Sequence, residues 1–237
     1  MMEIVHITAQ YSNAVLVAIL PYVTDFAAKL DLPIQRPVTT DAVQWSQPSP
    51  WKDYIAGSII LTNRYWFAID RRGYVYGFRA PTNWFFEQEF TDESIVQYFG
   101  QDRMTTNEVI KMSRNVLAKL GYKPEIVHSD EPPELDGPYD TAKGHIPYCK
   151  LKWVWPKPER MNSDLNLAEI VINMDAKTVA GFSLSLSPTN QLSMTRPKVD
   201  MVPELEADYQ KRMKASGKMF INTNAPSRFP GRPPDKN

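Results

Sequence analysis

Histidine and cysteine, the residues that most often carry catalysis or bind metals, are few in this chain of 237 residues. The histidines are His6, His128 and His145, and the one cysteine is Cys149. None of them has the spacing of a zinc site such as HExxH or a Cys/His cluster. His145 and Cys149 could share a strand face as a nucleophile and base. We expect instead a loop histidine and a small buried cysteine, because free cysteine is among the most buried residue types.

Other motifs for catalysis or ligand binding are absent from the sequence, which contains no GxSxG elbow, P-loop or GxGxxG turn. Residues 129–140 are rich in carboxylates, but they lack the ligand order of an EF-hand, and Pro132 and Pro133 stiffen them. A solvated acidic loop is therefore expected there. Nothing selects a pair of carboxylates for hydrolysis from the 27 Asp and Glu residues. No metal and no cofactor is predicted.

Aromatic side chains are the remaining candidates for a functional surface. The candidate partner-binding residues are Trp66, Trp84, Phe85, Phe86, Trp153 and Trp155. Aromatic residues dominate both cores and binding contacts, so core packing is the competing interpretation. Trp66 is the exception, because strand alternation places it opposite the core face that holds Phe67. We expect Trp66 and residues 84–86 to pack where two parts of the chain meet, with some aromatic surface left open to a partner.

The composition excludes some classes of partner. Lys plus Arg and Asp plus Glu are balanced at 27 each, so no net charge attracts nucleic acid. The apolar run at residues 14–23 is too short to span a bilayer and is interrupted by Pro21, which predicts a buried helix and no membrane span. The preceding segment lacks the Lys or Arg of a signal peptide. The compartment stays open: periplasmic or extracellular if an export signal has been removed, otherwise cytoplasmic.

Two amphipathic helices are predicted. The first spans residues 12–30, with N-cap types at its start, apolar residues every three or four positions, and a kink or break at Pro21. The second begins at a capping box formed by Thr105 and Glu108 and ends at Gly121. Both helices end on the letters AKL, which is the first sign of an internal repeat.

Two β-hairpins repeat the pattern. The letters V-x-G-F follow a turn at residues 75–78 and again at 179–182. Aligning Asp70 with Asp175, with one residue deleted from the turn so that the second turn is one residue shorter, keeps the buried faces in phase. Gly73 is expected in the left-handed conformation that such a turn needs. The inward-facing side chains predicted by alternation include Phe67, Ile69, Tyr76, Phe78, Ile170, Ile172, Ala180 and Phe182.

The predicted fold is α+β, with two tandem modules that each contain a helix, a long loop and about three antiparallel strands. The first module occupies residues 1–80 and the second occupies residues 105–202, joined by an aromatic connector at residues 81–104. Residues 203–237 are predicted to form a charged helix followed by a mobile, proline-rich tail. The two modules could be separate or packed as one unit.

One helix followed by an antiparallel meander, with the hairpin D-x-x-x-V-x-G-F, resembles the cystatin-like and PepSY-like modules of exported bacterial proteins. The resemblance rests on the helix after Thr105, the strand at residues 150–155 and the hairpin at residues 170–186, with a weaker copy at residues 12–79. Stretches such as LTNRYWFAIDRRGYVYGFRAP are similar to uncharacterised bacterial proteins. The resemblance implies binding or restraint of a protease, but the Gln-x-Val-x-Gly loop of cystatins is absent.

The expected function is that of a non-catalytic binding or scaffold module that engages a protein or peptide partner. The alternative is a hydrolase whose carboxylates converge in a cleft between the two modules.

Overall fold

The computed structural model describes residues 8–49, 56–70, 73–81, 103–141, 144–155 and 166–186. By its internal contacts the chain divides into residues 1–200 and residues 201–237, and every described residue belongs to the first unit. The predicted C-terminal helix and tail, and the aromatic connector except for its two ends, lie outside the described residues.

The helices are α1 (Ala9–Lys29), α2 (Thr106–Lys119) and α3 (Pro124–Val127). The strands are β1 (Val43–Pro48), β2 (Gly57–Leu61), β3 (Trp66–Ile69), β4 (Val75–Arg79), β5 (Glu134–Asp136), β6 (Tyr139–Thr141), β7 (Gly144–Ile146), β8 (Tyr148–Trp155), β9 (Asn166–Asn173) and β10 (Thr178–Ser185).

The described residues confirm an α+β fold, with an open antiparallel sheet of eight strands in the order β1-β2-β3-β4-β10-β9-β8-β5. Strands β1 to β4 run inward from one edge as a meander, and β5, β8, β9 and β10 run inward from the other edge in the same order. The two meanders meet at the centre, where β4 pairs with β10. Strands β6 and β7 form a separate hairpin. Each meander therefore has one more strand than the sequence suggested.

Helix α1 packs on β1 to β4. It begins at Ala9, where the Thr8 side chain accepts a hydrogen bond from the Tyr11 N–H at 3.1 Å, so the predicted start at residue 12 is three residues late. The helix continues through Pro21, which does not divide it into two segments. By length and composition alone α1 is able to cross a bilayer, as core helices and signal sequences also are, and in this fold 44% of its apolar window is buried.

Both long helices end in the same way. After α1 the backbone turns left-handed at Asp31, and after α2 it does so at Gly121, with φ of 51° and 85°. The next N–H, from Leu32 or Tyr122, donates to a carbonyl five residues back at 2.9 Å in each case. These are Schellman-type ends, and they satisfy carbonyls that would otherwise have no partner. The capping box predicted at the start of α2 is also confirmed.

A row of inward-facing positions crosses all eight strands, and its six middle residues, from Ile59 to Leu151 in sheet order, form the centre of the core. In sheet order the row is Ser46, Ile59, Phe67, Phe78, Phe182, Ile170, Leu151 and Leu135. Phe26 of α1 lies over this row, with its ring centroid 6.0 Å from that of Phe67, 5.5 Å from that of Phe78 and 5.8 Å from that of Phe182. Tyr122, which follows α2, stacks on Phe182. The two halves thus share a single hydrophobic core on the helix side of the sheet.

Both hairpins carry a β-bulge at equivalent places. One extra residue, Tyr76 in β4 and Ala180 in β10, interrupts the pairing with the preceding strand. The bulge turns these two side chains to the face opposite the helices, so the prediction that they face the core is wrong. Tyr76 is 43% exposed, whereas Ala180 packs with Ile146 of the β6–β7 hairpin. Strict alternation fails here because an added residue reverses the side-chain phase.

The register also corrects the alignment of the two turns. Asp70 and Asn173, rather than Asp70 and Asp175, are equivalent, because they follow Ile69 and Ile172, which pair with Val75 and Val179. Each side chain organises its own turn: Asp70 accepts a hydrogen bond from the Tyr74 N–H at 3.0 Å, and Asn173 accepts from the Asp175 N–H at 3.1 Å. The second turn is one residue longer, not one residue shorter, yet the inward side chains stay in phase.

The turn at Gly73 offers a test of how tightly the first hairpin is held against α1. Gly73 has φ of 80°, as predicted, and an added Cβ would lie 2.2 Å from a ring carbon of Tyr22. Gly121 has φ of 85°, but no atom lies within 4 Å of the Cβ position. We expect Gly121→Ala to lower the free energy of unfolding by about 1 kcal/mol. We expect Gly73→Ala to lower the free energy of unfolding by on the order of 3 kcal/mol, because the clash of the new Cβ with Tyr22 adds to the same backbone strain.

Urea denaturation followed by tryptophan fluorescence measures both variants. Equal losses in the two variants would show that the hairpin is free to move away from α1.

Candidate functional site

Cys149 lies in β8 with its side chain in the core, which confirms the expectation of a small buried cysteine. Its thiol donates to the carbonyl oxygen of Gly137, with Sγ and O 3.6 Å apart. Burial, assisted by the charge of Asp136 and opposed by that of Arg103, raises the pKa of the Cys149 thiol to about 11. A thiol with this pKa stays protonated near neutral pH and is a poor nucleophile.

His145 lies in β7 and is 2% exposed, so the expectation of a loop histidine is wrong. Its Nε2 lies 2.8 Å from Oδ2 of Asp175, in the turn between β9 and β10. The histidine ring is therefore engaged by a carboxylate. This contact ties the β6–β7 hairpin to the sheet, and we interpret it as a structural link.

Residues 129–140, expected to be a solvated acidic loop, instead contain β5 and the start of β6, and the turn that precedes β5 is held by a cation of the chain itself. Nε of Arg114 donates to the carbonyl oxygen of Ser129 at 2.6 Å, and its terminal nitrogen donates to the carbonyl oxygen of Asp130 at 3.1 Å. Asp136 forms an ion pair with Lys150 at 3.1 Å. Among the described residues no group of three or more His, Cys, Asp or Glu side chains is arranged to hold a metal ion.

The candidate aromatic residues do not form one surface. Trp153 is 3% exposed and its indole N–H donates to the carbonyl oxygen of Glu131 at 3.0 Å, so its assignment as a partner-binding residue is corrected to a core role. Trp155, at the end of β8, is 38% exposed and stacks on His128 with ring centroids 4.2 Å apart. Trp66 lies on the opposite face of the sheet, as alternation predicts. Trp84, Phe85 and Phe86 lie outside the described residues.

The outward side of β1 to β4 carries a continuous apolar row that begins at the edge of the sheet. Trp45 pairs with Ile60, Ile60 with Trp66, and Trp66 with Arg79. Trp45 is 44% exposed, Ile60 and Trp66 are partly buried, and Arg79 is exposed. We call the outward-facing positions of β1 to β4 the aromatic face; they are Gln44, Trp45, Gln47, Ser58, Ile60, Trp66, Ala68, Tyr76, Gly77 and Arg79.

Trp66 is held in place by a glycine and a cation. The indole lies over Gly77, where an added Cβ would come within 2.7 Å of a ring carbon, so the missing side chain makes room for the ring. The guanidinium carbon of Arg79 lies 5.1 Å from the ring centroid, in the range of a cation–π contact. Partial burial lowers the pKa of Arg79, and the charge of Glu169 acts in the opposite direction. The guanidinium remains charged at any physiological pH.

The second half of the sheet differs sharply on the same outward side. Positions in the two halves are equivalent when they hold the same place in the strand pairing, counted outward from the central pair of Phe78 and Phe182. Each pair gives the residue of the first half and then its equivalent in the second half: Trp45 and Glu134, Ile60 and Lys152, Trp66 and Glu169, and Arg79 and Ser183. The second half thus replaces the apolar row by charges of alternating sign at directly paired positions, which is typical of a solvated face. The inward-facing positions on the three inner strands of each half remain apolar in the central row, from Ile59 to Phe78 and from Leu151 to Phe182. The difference between the halves is therefore concentrated on the side that solvent or a partner can reach.

Part of this site was missed by sequence reasoning. Trp45, Ile60 and Arg79 were not identified, because β1 was not assigned as a strand and neighbours across a sheet are set by register. Two signals were available in the sequence. Alternation places Trp66 on the face opposite the core, and a glycine in the next strand, Gly77, indicates that a large ring on that face needs space.

Comparisons with protein-family models, with curated proteins and with solved structures gave no match.

The reactivity of Cys149 tests the conclusion that it is a core residue. At pH 8 the folded protein should resist alkylation by iodoacetamide, because the thiol is buried and its pKa of about 11 leaves little thiolate. The chain unfolded in urea should be alkylated fully within the same time. Mass spectrometry of the intact protein measures the fraction modified. Rapid modification of the folded protein would revive the catalytic-cysteine interpretation.

Proposed function

We propose that this protein is a non-catalytic binding or scaffold module that engages a protein or peptide partner through the aromatic face. The observation that carries the proposal is the contrast between the halves. At equivalent outward positions the first half places Trp45, Ile60 and Trp66 where the second half places charges. Folding alone does not account for the apolar set, because the second half satisfies the same pairing pattern without it.

We further propose that the sheet arose from two tandem helix-plus-sheet modules of the cystatin-like or PepSY-like kind. Support comes from the shared strand order, the equivalent bulges at Tyr76 and Ala180, and the matching helix ends. The central pairing is symmetric as well, because Phe78 of the first half pairs with Phe182, the residue at the equivalent position of the second half. In such a pair one copy can keep a solvated outer face while the other acquires a binding face.

The chemistry of the aromatic face suits recognition of a macromolecule. Tryptophan and arginine are the residue types most enriched at the energetic centres of protein interfaces. The indole of Trp66 rests on Gly77 and against Arg79, so little conformational entropy is lost when a partner covers it. Trp45 is 44% exposed and is paired with Ile60, so the apolar surface extends to the sheet edge.

The alternative function, a hydrolase with carboxylates in a cleft between the modules, receives no support from the described residues. The two halves meet through direct pairing of β4 with β10, and the Phe78–Phe182 contact fills the helix side of that junction. The carboxylate of Asp175, whose side chain is 11% exposed, is engaged by His145. We therefore put forward the binding function alone.

Substitution of the aromatic face should remove partner capture without unfolding the protein. We expect Trp45→Ala and the double variant Trp45→Ala/Ile60→Ala to lose the proteins that the tagged wild-type chain retains from a lysate of its native host. The matched control is Glu134→Ala/Lys152→Ala, at the equivalent positions of the second half, and it should retain them. Trp45→Ala should change the free energy of unfolding by no more than about 0.5 kcal/mol, because the residue is at the exposed edge.

Trp66→Ala is a less clean variant, since its ring also packs within the protein and its loss should cost on the order of 2 kcal/mol. Equal capture by the wild-type chain, the aromatic-face variants and the control would contradict the proposed function. Quantitative mass spectrometry of the retained proteins, with circular dichroism of each variant, gives the readout.

A further inference from the structure

The two edges of the eight-stranded sheet differ in how they are protected against pairing with another chain. Strand β5, at one edge, has only three residues, of which Glu134 and Asp136 are charged, and Pro132, Pro133 and Pro138 lie close to its ends. Short length, charge and proline are common means of keeping an edge strand from adding a further strand. Strand β1, at the other edge, has six residues and no charged side chain. Of the two edges, β1 is therefore the better suited to pair with a partner.

The hydrogen bonds between β1 and β2 show which backbone groups of β1 point away from the sheet. The Ser49 N–H donates to the Ala56 carbonyl oxygen at 2.8 Å, so these two residues form a hydrogen-bonded pair. Such pairs recur at every second residue of an antiparallel ladder, so Gln47 and Ser58 form the next one. The N–H and C=O of Ser46 therefore point away from β2. Within the described part of the chain β1 pairs with β2 alone, and no backbone group meets Ser46 from the other side.

Two features limit the stretch of β1 that can accept a partner strand. Pro48, which has no N–H, occupies the next position that points away from β2, and a proline is tolerated there because the pairing with β2 does not need its N–H. At the other end of β1 a bulge between Val43 and Trp45 interrupts the regular ladder. The regular edge is thus residues 45–48, which suits a short extended segment.

The side chains beside this stretch indicate the chemistry of the partner. Trp45 is 44% exposed and is paired with Ile60, so an apolar surface lies directly beside the edge. In a strand added to β1, alternate side chains would lie on the same face as Trp45 and within contact distance of it. Apolar or aromatic side chains suit these positions, and β1 carries no charge that calls for a counter-charge.

We propose that β1 binds an extended peptide segment of a protein partner as an added strand, with alternate apolar side chains of the segment packed against Trp45. This proposal rests on the proposed function, because Trp45 belongs to the aromatic face, and it names how the partner is held. A second copy of the chain fits this edge less well. Two copies of residues 45–48 cannot by themselves bury the roughly 1,200 Å² of a stable interface between folded proteins. A peptide strand needs less area, because main-chain hydrogen bonds and a few side-chain contacts support reversible binding.

The test starts from random twelve-residue peptides displayed on phage and selected against the full-length protein. Selected peptides should alternate apolar residues and contain few prolines. The most enriched peptide, labelled with fluorescein, should bind the wild-type protein saturably in fluorescence polarisation, and binding should change little as salt increases. Methylation of one backbone nitrogen at a time should weaken binding about tenfold at every second position of the paired segment and little at the positions between. The reason is that a methyl group removes a donor only where the N–H faces β1.

Substitutions at Ser46 give a matched pair of protein variants. Ser46→Pro removes the N–H that faces the partner and leaves the pairing with β2 intact, so it should weaken peptide binding about tenfold. Ser46→Ala keeps that N–H and should alter binding less than about twofold. Trp45→Ala should also weaken binding about tenfold, through the loss of side-chain contacts. Circular dichroism and thermal melting show whether each variant is folded, and the methylated peptides decide the question if Ser46→Pro is not.

The proposal is wrong if no peptide is selected, if methylation shows no alternation, or if folded Ser46→Pro binds the peptide as well as Ser46→Ala does. It is also wrong if hydrogen exchange shows the Ser46 amide to be protected in the free protein, or if the free protein is a dimer that Ser46→Pro dissociates. In either case the edge is already occupied.

The outcome for the proposed function is read separately. If the added strand fails these tests but capture from the native host still depends on Trp45 and Ile60, the binding function stands and only the mode of binding is wrong. If capture does not depend on them, the binding function itself is wrong.

Discussion

The antiparallel pairing of β4 with β10 is the contact on which the rest of the structure depends. It joins two four-stranded meanders into one sheet and places Phe78 beside Phe182, both fully buried. Phe26 of α1 and Tyr122 after α2 pack on these rings from the same side. Without this pairing each half would expose a long hydrogen-bonding edge at its last strand, which proteins avoid because such edges promote association.

The central pairing also decides which side of the sheet is available for function. Both long helices are associated with the side that holds Phe78 and Phe182, so the inward positions of both halves must stay apolar. On the outward side, only the part that the β6–β7 hairpin covers has to be apolar. In the second half the β6–β7 hairpin covers part of it, where Ile146 packs with Tyr148 of β8, and much of the remainder is charged. In the first half the outward side carries a row of apolar and aromatic residues, Trp45, Ile60 and Trp66.

Small residues and polar side chains give the aromatic face and the hairpins their shape. Gly77 lets the Trp66 ring lie close to the backbone, and Gly73 lets the first turn approach Tyr22 of α1. The Asp70 and Asn173 side chains each close their own turn by accepting backbone N–H groups. His145 and Asp175 tie the extra hairpin to the second turn. These polar contacts satisfy groups that would otherwise be costly to bury.

Sequence alone determined the parts of this protein that depend on local chemistry. The capping box at Thr105, the glycine-closed helix end at Gly121, the left-handed turn at Gly73 and the in-phase hairpins were all predictable, because each depends on residues a few positions apart. The orientation of Trp66 away from the core followed from alternation in the same way.

Tertiary structure decided the rest. Strand register placed Trp45, Ile60 and Arg79 beside Trp66, a bulge turned Tyr76 outward, and the β4–β10 pairing merged two predicted modules into one sheet. These features depend on contacts between residues distant in the chain, whose register is selected by the packing of the whole core and leaves little trace in any short stretch of sequence.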